Sequence, residues 1–419
     1  MPEQKQSTWA GTHVFGAQRI VNPRTLDEAR ELVADSPRIR ALGTRHSFND
    51  IADSPGVLVS LVDLDPGIEL SDDTVTVSGG TTYGALAAEL QRRGFALHNM
   101  GSLPHISVAG AISTATHGSG TRNGNLATAV RALEVIGADG ELRTVAAGDA
   151  EFEGSVVALG LLGVTSRVTL AIEATYQVRQ DLYADLPWSG VLDRFDEIAS
   201  CGYSVSLFTN WLGDSVQRLW VKTRLRQNET GDMPVELFGG RLEESADRSP
   251  DGAFLDNTTE QGGIPGPWSE RLPHFRLDAT PSNGDEIQTE YLVDLADAAA
   301  ALSALRTLGP VIEPALLITE LRTVAADELW MSTAYRRDSL CIHFTWKNLP
   351  EQVAATIPLI EAALEPFAPR AHWGKVATLD SDVVAARYER LSDFRTLVES
   401  RDPGGKFRND YTSTVLRTL

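Results

Sequence analysis

LGTRHSFND, residues 42–50, sets a histidine in a tight loop that opens on a glycine, directly after the short apolar segment IRAL (39–42). A loop histidine is ordinarily a solvated surface group. A second segment bears on its reading. GSLPHISVAGAISTATHGSG (101–120) clusters glycine, serine and threonine with neither a helical nor a strand period. Such loops offer backbone N–H groups and hydroxyls to an anion, and glycine lets the backbone come close. Neither loop carries the Gly-Lys-Ser/Thr of a phosphate loop, and neither has the G-x-G-x-x-G dinucleotide spacing. Taken singly, each reads equally well as a turn-rich connection.

Working outward, TLDEARELVAD (25–35) predicts a helix, because Thr25 and Glu28 have capping-box spacing and Leu26, Ala29 and Leu32/Val33 form an apolar stripe. Strands are expected at 39–42, 57–61, 74–79 and 163–176, and a helix at 83–94 closed by Gly94. Residues 131–145 alternate about Asp139-Gly140 and read as a hairpin. The stretch 225–285 is polar, loop-like and punctuated by proline. Strands return at 286–293, 315–324 and 339–346, with helices at 296–308 and 354–367, an order that suggests a sheet covered by helices. DPGGKFRNDY (402–411) reads as a basic loop, and the chain has no internal repeat.

At 419 residues the chain suits two domains, and 42% hydrophobic residues allow a sizeable core. A net charge of −20 repels nucleic acid and anionic membranes. Two cysteines far apart make neither a disulfide framework nor a metal cluster, so no metal site is expected and a reducing compartment fits. The N-terminal MPEQKQSTWAG lacks the apolar core of a signal peptide, and VVALGLLGV (156–164) is too short to span a bilayer. A cytoplasmic protein with no membrane partner is expected.

The two glycine loops, followed by LGVTSRVTL (162–170) and the terminal DPGGKFRNDY, resemble the FAD domain of the vanillyl-alcohol-oxidase flavoprotein family. Within that family the resemblance to the alditol oxidase group runs along nearly the whole chain, through NMGSLPHISVAG, YSVSLFTNW, GIPGPW, LPHFR, ELRTVAAD, HFT and HWGK. It implies an α+β, two-domain FAD-binding fold of the PCMH type, whose cap domain is an antiparallel sheet covered by helices. The FAD-binding part would be 1–180, with 377–419 returning to it, and the substrate or cap part 181–376. FAD would be bound covalently, its 8α-methyl joined to a ring nitrogen of His46. Gly43, Thr44 and Ser47 would hold the pyrophosphate, with Ala41 and Leu42 alongside. Arg45 stands where the family usually has glycine. From the second loop, Ser102, Ser107, Gly110, Ala111, Ile112 and Ser113 would meet the cofactor, as would His117 and Gly118. Leu162 and Val164 complete the set. Cys201 and Cys341 lie outside the loops that supply a second flavin link in some relatives, so one bond is expected.

The later strands offer pairs. Glu320 and Arg322 are two apart and share a face, as do His343 and Thr345. Lys375 follows Trp373-Gly374 in a turn. A solvated strand face explains any one pair; a carboxylate, two cations, an imidazole and a hydroxyl together also suit a pocket for a neutral, hydroxylated molecule. The resemblance favours the pocket and implies Ser102, Glu320, Arg322, Thr345 and Lys375 as substrate-binding, with His343 beside them and Gln288 a weaker candidate. Arg322 and Lys375 would polarise a terminal hydroxyl, and Lys375 or His343 would take its proton. The implied activity is oxidation of the terminal primary alcohol of polyols such as xylitol or sorbitol to the aldose, with oxygen reduced to hydrogen peroxide. The alternative within the family is an aldonolactone oxidase or dehydrogenase. A non-catalytic carbohydrate-binding or flavin-carrying protein and a pyridine-nucleotide-dependent flavin reductase are the rivals outside it. The resemblance also puts Gly101 at the flavin edge as an oxygen passage; the plainer reading is a glycine required for a positive φ. A monomer is expected.

Overall fold

The computed structural model describes residues 6–225, 233–243, 257–279, 285–378 and 380–417. Parts of the expected 225–285 loop therefore lie outside the described residues. Among the described residues three sheets of three or more strands organise the rest, besides one two-stranded pair, Phe95–Ala96 with Glu173–Ala174.

The first is small and wholly parallel, with Val57–Val59 between Arg19–Val21 and Ile39–Ala41. Helix Leu26–Asp35 covers it through Ala29 and Val33. Thr25 caps that helix by accepting the Glu28 N–H, while the Glu28 carboxylate reaches the N–H of Arg24 rather than that of Thr25. The second sheet is antiparallel, in the order Glu69–Leu70, Thr74–Ser78, Val164–Ala171, Val130–Ile136, Leu142–Ala146. Its last two strands are the expected hairpin, turning through Gly140 at φ +80°.

The third sheet has ten antiparallel strands. At its centre Ser204–Thr209, Leu316–Val324, Ser339–Lys347 and Glu286–Asp294 lie side by side. Strand alternation divides this sheet cleanly. Leu321, Ile342, Phe344, Trp346, Ile287, Tyr291 and Val293 pack with helices Ala298–Arg306 and Pro350–Leu364. Glu320, Arg322, His343, Thr345, Gln288 and Glu290 occupy the other face. Proline opens the second helix at its first position, where it needs no N–H partner, so the helix starts four residues before the expected 354.

Two eleven-residue strands, Gln177–Pro187 and Ser215–Leu225, were not expected. Their charges mask the pattern: Arg179 and Asp181 sit two apart and bond to each other. The second glycine loop contains a short helix, Val108–Ser113, also unexpected. The tail is a loop through Arg408, and helix Asp410–Val415 then starts, capped by Asn409. Lys406 donates to the carbonyls of Val33 (2.7 Å) and Ala138 (2.6 Å), and Phe407 joins the core of the first sheet. The C-terminus is thereby tied to the first strands of the chain. Among the described residues no single helix is long and apolar enough to cross a membrane.

Candidate active site

One cavity runs from the first glycine loop to the polar face of the large sheet. At its first end the two glycine loops touch. A Cβ on Gly43 would lie 2.7 Å from Ser107 Oγ, and one on Gly110 would lie 2.8 Å from the same atom. The backbones meet because neither residue has a side chain. The Ser107 N–H donates to Thr44 Oγ1 (3.3 Å), and Thr44 Oγ1 also lies 3.1 Å from His46 Nδ1. His46 Nε2 is buried with no hydrogen-bond partner among the described residues. Burial, then Lys375 and His105, lower the imidazole to about 4, so it is neutral at pH 7. Trp9 stacks on this ring, 5.3 Å between centroids at 23°, a contact sequence reasoning did not find. Arg45 sits at φ +67°. Only glycine takes that conformation freely, so this arginine carries a backbone cost.

A glycine-built cradle with hydroxyls and an unpaired, neutral ring nitrogen suits a flavin dinucleotide. Ala41, Leu42, Arg45, Ser47, Ser102, Ala111, Ser113, His117 and Val164 also line the cavity. Ile112 and Leu162 do not, because their side chains belong to the apolar core. Gly118 is buried behind the wall, where a Cβ would run into the Met100 carbonyl. The positive-φ reading of Gly101 is corrected: its φ is not positive, and a Cβ there would meet Ile106, Leu126 and Thr116 at ordinary distances of 3.5–3.8 Å.

At the other end three neighbouring strands contribute in register. Glu320 pairs with His343 and Glu290 with His343, while Thr345 is flanked by Gln288 and Ile318. Arg322 donates to Ser102 Oγ (3.1 Å) on the second glycine loop and to Glu290 Oε1 (3.0 Å). Against the cost of burial, Glu320 and Glu290 hold the guanidinium above its ordinary value. Against the same cost, His117, His343 and Arg322 hold Glu290 well below the carboxylate range. His343 faces Glu290 Oε2 through Nδ1 (3.3 Å) and Thr345 Oγ1 through Nε2 (3.2 Å), and burial lowers its pKa.

Lys375 is brought in by the C-terminal side of the chain. The Phe48 N–H donates to the Gly374 carbonyl (2.7 Å), and Asn49 Nδ2 donates to those of Trp373 and Lys375. The first glycine loop thus fixes the lysine turn. Lys375 Nζ donates to Gln288 Oε1, and loss of hydration lowers the ammonium to about 8. Every substrate-side residue read from the sequence lines this cavity.

Two residues were missed, Glu290 and His274, and His117 was read only as part of the second flavin loop. Glu290 is two positions from Gln288 on one strand, so the alternation that exposed the other pairs would have found it. His117 lies 3.1 Å from Glu290 Oε1 through Nε2, while Nδ1 meets the Gly118 carbonyl. Against burial, Cys341 and Glu290 push it up to about 10, which favours a protonated ring rather than a simple loop element. His274, whose Nε2 is 2.7 Å from Glu320 Oε1, comes from a proline-flanked loop with no periodic signal.

Comparison with known proteins agrees with this geometry. Residues 17–146, which carry both glycine loops, match the FAD binding domain family, and residues 282–415 match the D-arabinono-1,4-lactone oxidase family. The chain is 43% identical to an alditol oxidase of Streptomyces sp., covering 98% of both chains. It is 28% identical to an L-gulono-1,4-lactone dehydrogenase of Mycobacterium tuberculosis over 98% of each. Cholesterol oxidase from B. sterolicum has the same fold at 14% identity, with a TM-score of 0.78 over 99% of this chain and 97% of that one. The cradle, the polar sheet face opposite it and a relative aligned from end to end together make this chain a member of the vanillyl-alcohol-oxidase-type family of FAD-binding oxidoreductases.

Proposed function

We propose that the protein is an alditol oxidase, taking a hydride from the terminal CH–OH carbon of a polyol such as xylitol or sorbitol and yielding the aldose and hydrogen peroxide. The observation that carries this reading is the face of Glu320, Arg322, His343, Thr345 and Lys375 closing on Ser102 of the flavin-side loop. Bound FAD supplies the hydride acceptor and the oxygen chemistry.

The protein's own groups have separable tasks. Glu320 accepts hydrogen bonds from polyol hydroxyls. Arg322, anchored by Glu290 and Ser102, and Lys375 donate to the reacting oxygen and favour its alkoxide form. Lys375, at about 8, is mostly protonated at pH 7 and therefore a donor. His343 is neutral. With Glu290 against Nδ1, its Nε2 is the nitrogen left to accept the hydroxyl proton. The neutral ring of His46, with Nε2 free of partners among the described residues, supports a covalent link to the flavin 8α-carbon.

The proposed division keeps 1–180 and 377–419 with the cofactor and 181–376 with the substrate. A cytoplasmic monomer is the matching cellular form, consistent with two free cysteines. Anaerobic titration of the yellow protein tests the activity: xylitol or sorbitol should bleach it. Bleaching by gulono- or galactonolactone alone would favour a lactone-oxidising enzyme instead, the reading that the match of residues 282–415 keeps open.

A further inference from the structure

The polar face of the cavity continues behind Glu320 into a buried relay. His274 is held at four points. Its N–H donates to the Ser102 carbonyl (3.1 Å), and its carbonyl accepts from the Thr259 N–H (2.9 Å). Ring Nε2 lies 2.7 Å from Glu320 Oε1, and Nδ1 lies 3.2 Å from Lys222 Nζ. The ring also packs against Trp220, with centroids 5.1 Å apart.

Lys222 is 1% exposed, on strand Ser215–Leu225. Among the described residues it pairs with no carboxylate. Its ammonium donates instead to the carbonyls of Leu272 (2.6 Å) and Pro273 (3.2 Å), with His274 Nδ1 as third acceptor. Three protons therefore meet three acceptors, although burial still lowers the ammonium to about 7, so the contact is strongest below neutral pH. The arrangement also fixes a tautomer. An Nδ1 that accepts from an ammonium carries no proton, so the neutral ring bears its proton on Nε2, aimed at Glu320. Among the described residues both contacts of the Glu320 carboxylate fall on Oε1, from His274 and from Arg322 Nε at 3.6 Å.

We propose that Lys222 and His274 are positioning residues for the substrate: Lys222 fixes the Nε2–H tautomer of His274, and His274 pins one oxygen of Glu320 so that the other is presented to the polyol hydroxyls. The inference rests on the polyol reading of the cavity. Hydroxyls remote from the reacting carbon are bound alike in the ground and transition states. Loosening Glu320 therefore weakens binding and spares the chemical step.

The test is anaerobic, stopped-flow reduction of the flavin-loaded protein by xylitol, with His274→Leu, His274→Gln and Lys222→Met. In His274→Leu the half-saturating xylitol concentration should rise at least about tenfold while the limiting rate stays within about threefold. His274→Gln keeps an N–H for Glu320 and should recover most of the loss. Long-range proton–nitrogen spectra of ring-labelled histidine give a second readout. The signal absent from His274→Leu should show the Nε2–H pattern in wild type, and Lys222→Met should loosen it. Unchanged half-saturation in a folded His274→Leu, failure of the glutamine to rescue, or an Nδ1–H pattern each overturns the inference. A wild type that no alditol bleaches overturns the polyol reading instead, and the spectrum still decides the Lys222–His274 contact.

Discussion

Gly101→Ala isolates the oxygen step from everything else the site does. The family resemblance sets this position beside the flavin edge that oxygen must reach. The glycine is buried, yet its φ is not positive and an added Cβ would sit 3.5 Å from Ile106 Cδ1 and 3.8 Å from Leu126 Cδ1 and Thr116 Cγ2. Alanine therefore fits without strain. Such a replacement stabilises by about 0.4–1 kcal/mol, chiefly by restricting the unfolded chain. The variant should melt no lower than wild type and at most a few degrees higher. Reduction by polyol should be little changed, since the added methyl faces Ile106, Leu126 and Thr116 and, apart from the neighbouring Ser102, the substrate groups lie on the large sheet and the Lys375 turn. The second-order reaction of the reduced flavin with oxygen should slow by about tenfold or more, equivalent to about 1.4 kcal/mol on that barrier. Stopped-flow mixing of anaerobically reduced protein with oxygenated buffer measures it directly, and Gly101→Val should slow it further. Wild-type reoxidation in a well-folded Gly101→Ala refutes the passage. Parallel loss of stability and of both half-reactions refutes the claim that the site has room.

The other predictions concern the cofactor loop and the two cations. Acid-denatured protein should retain its flavin and His46→Ala should release it; a colourless wild-type pellet rejects the covalent bond. Arg322→Ala and Lys375→Ala should each slow flavin reduction by a factor equivalent to about 3 kcal/mol while flavin content stays near normal, because they stabilise charge that develops during reaction. Near-normal reduction in both removes them from the mechanism. With Lys375 lowered from 10.5 to about 8, its ammonium is present below that pH and lost above it, so flavin reduction should fall as pH rises through about 8. Lys375→Arg should abolish that fall. The same shift makes the Lys375 contribution to stability rise between about 8 and 10.5, where the unfolded chain still binds a proton that the folded lysine has released, so the wild-type denaturation midpoint should rise across this window relative to that of Lys375→Met, and the lack of a relative rise would count against it.

The site was legible wherever its residues obey a period or sit in a glycine loop. Strands 316–324 and 339–347 alternate core and cavity residues, and that alone put Glu320 with Arg322 and His343 with Thr345. The glycine loops were legible by composition, although composition could not reveal that they touch at Gly43 and Gly110, a contact between positions 67 residues apart. The 11-residue strand Gln177–Pro187 escaped because Arg179 and Asp181 pair locally within it, so charges that read as loop are neutralised in the sheet.

What could not be read is what supports the reacting groups. Arg45 shows how a sequence states a cost without showing what offsets it. An arginine stands at φ +67°, where glycine alone is unstrained, and the structure keeps the loop closed by bonding the Arg45 carbonyl to the Trp9 N–H (2.8 Å) while Trp9 stacks on His46. No spacing links position 9 to position 46. Glu290 stands between these extremes. The strand EIQTEYLV gave the face it occupies, but not that one carboxylate would meet Arg322, His117 and His343 from three other segments. That convergence determines which nitrogen of His343 faces away from Glu290 and whether Arg322 stays aimed at Ser102. The order of the donors in this cavity is therefore a property of cross-strand register. A one-residue slip between strands 286–294 and 339–347 would leave every motif in the sequence intact and remove the Glu290–His343 contact.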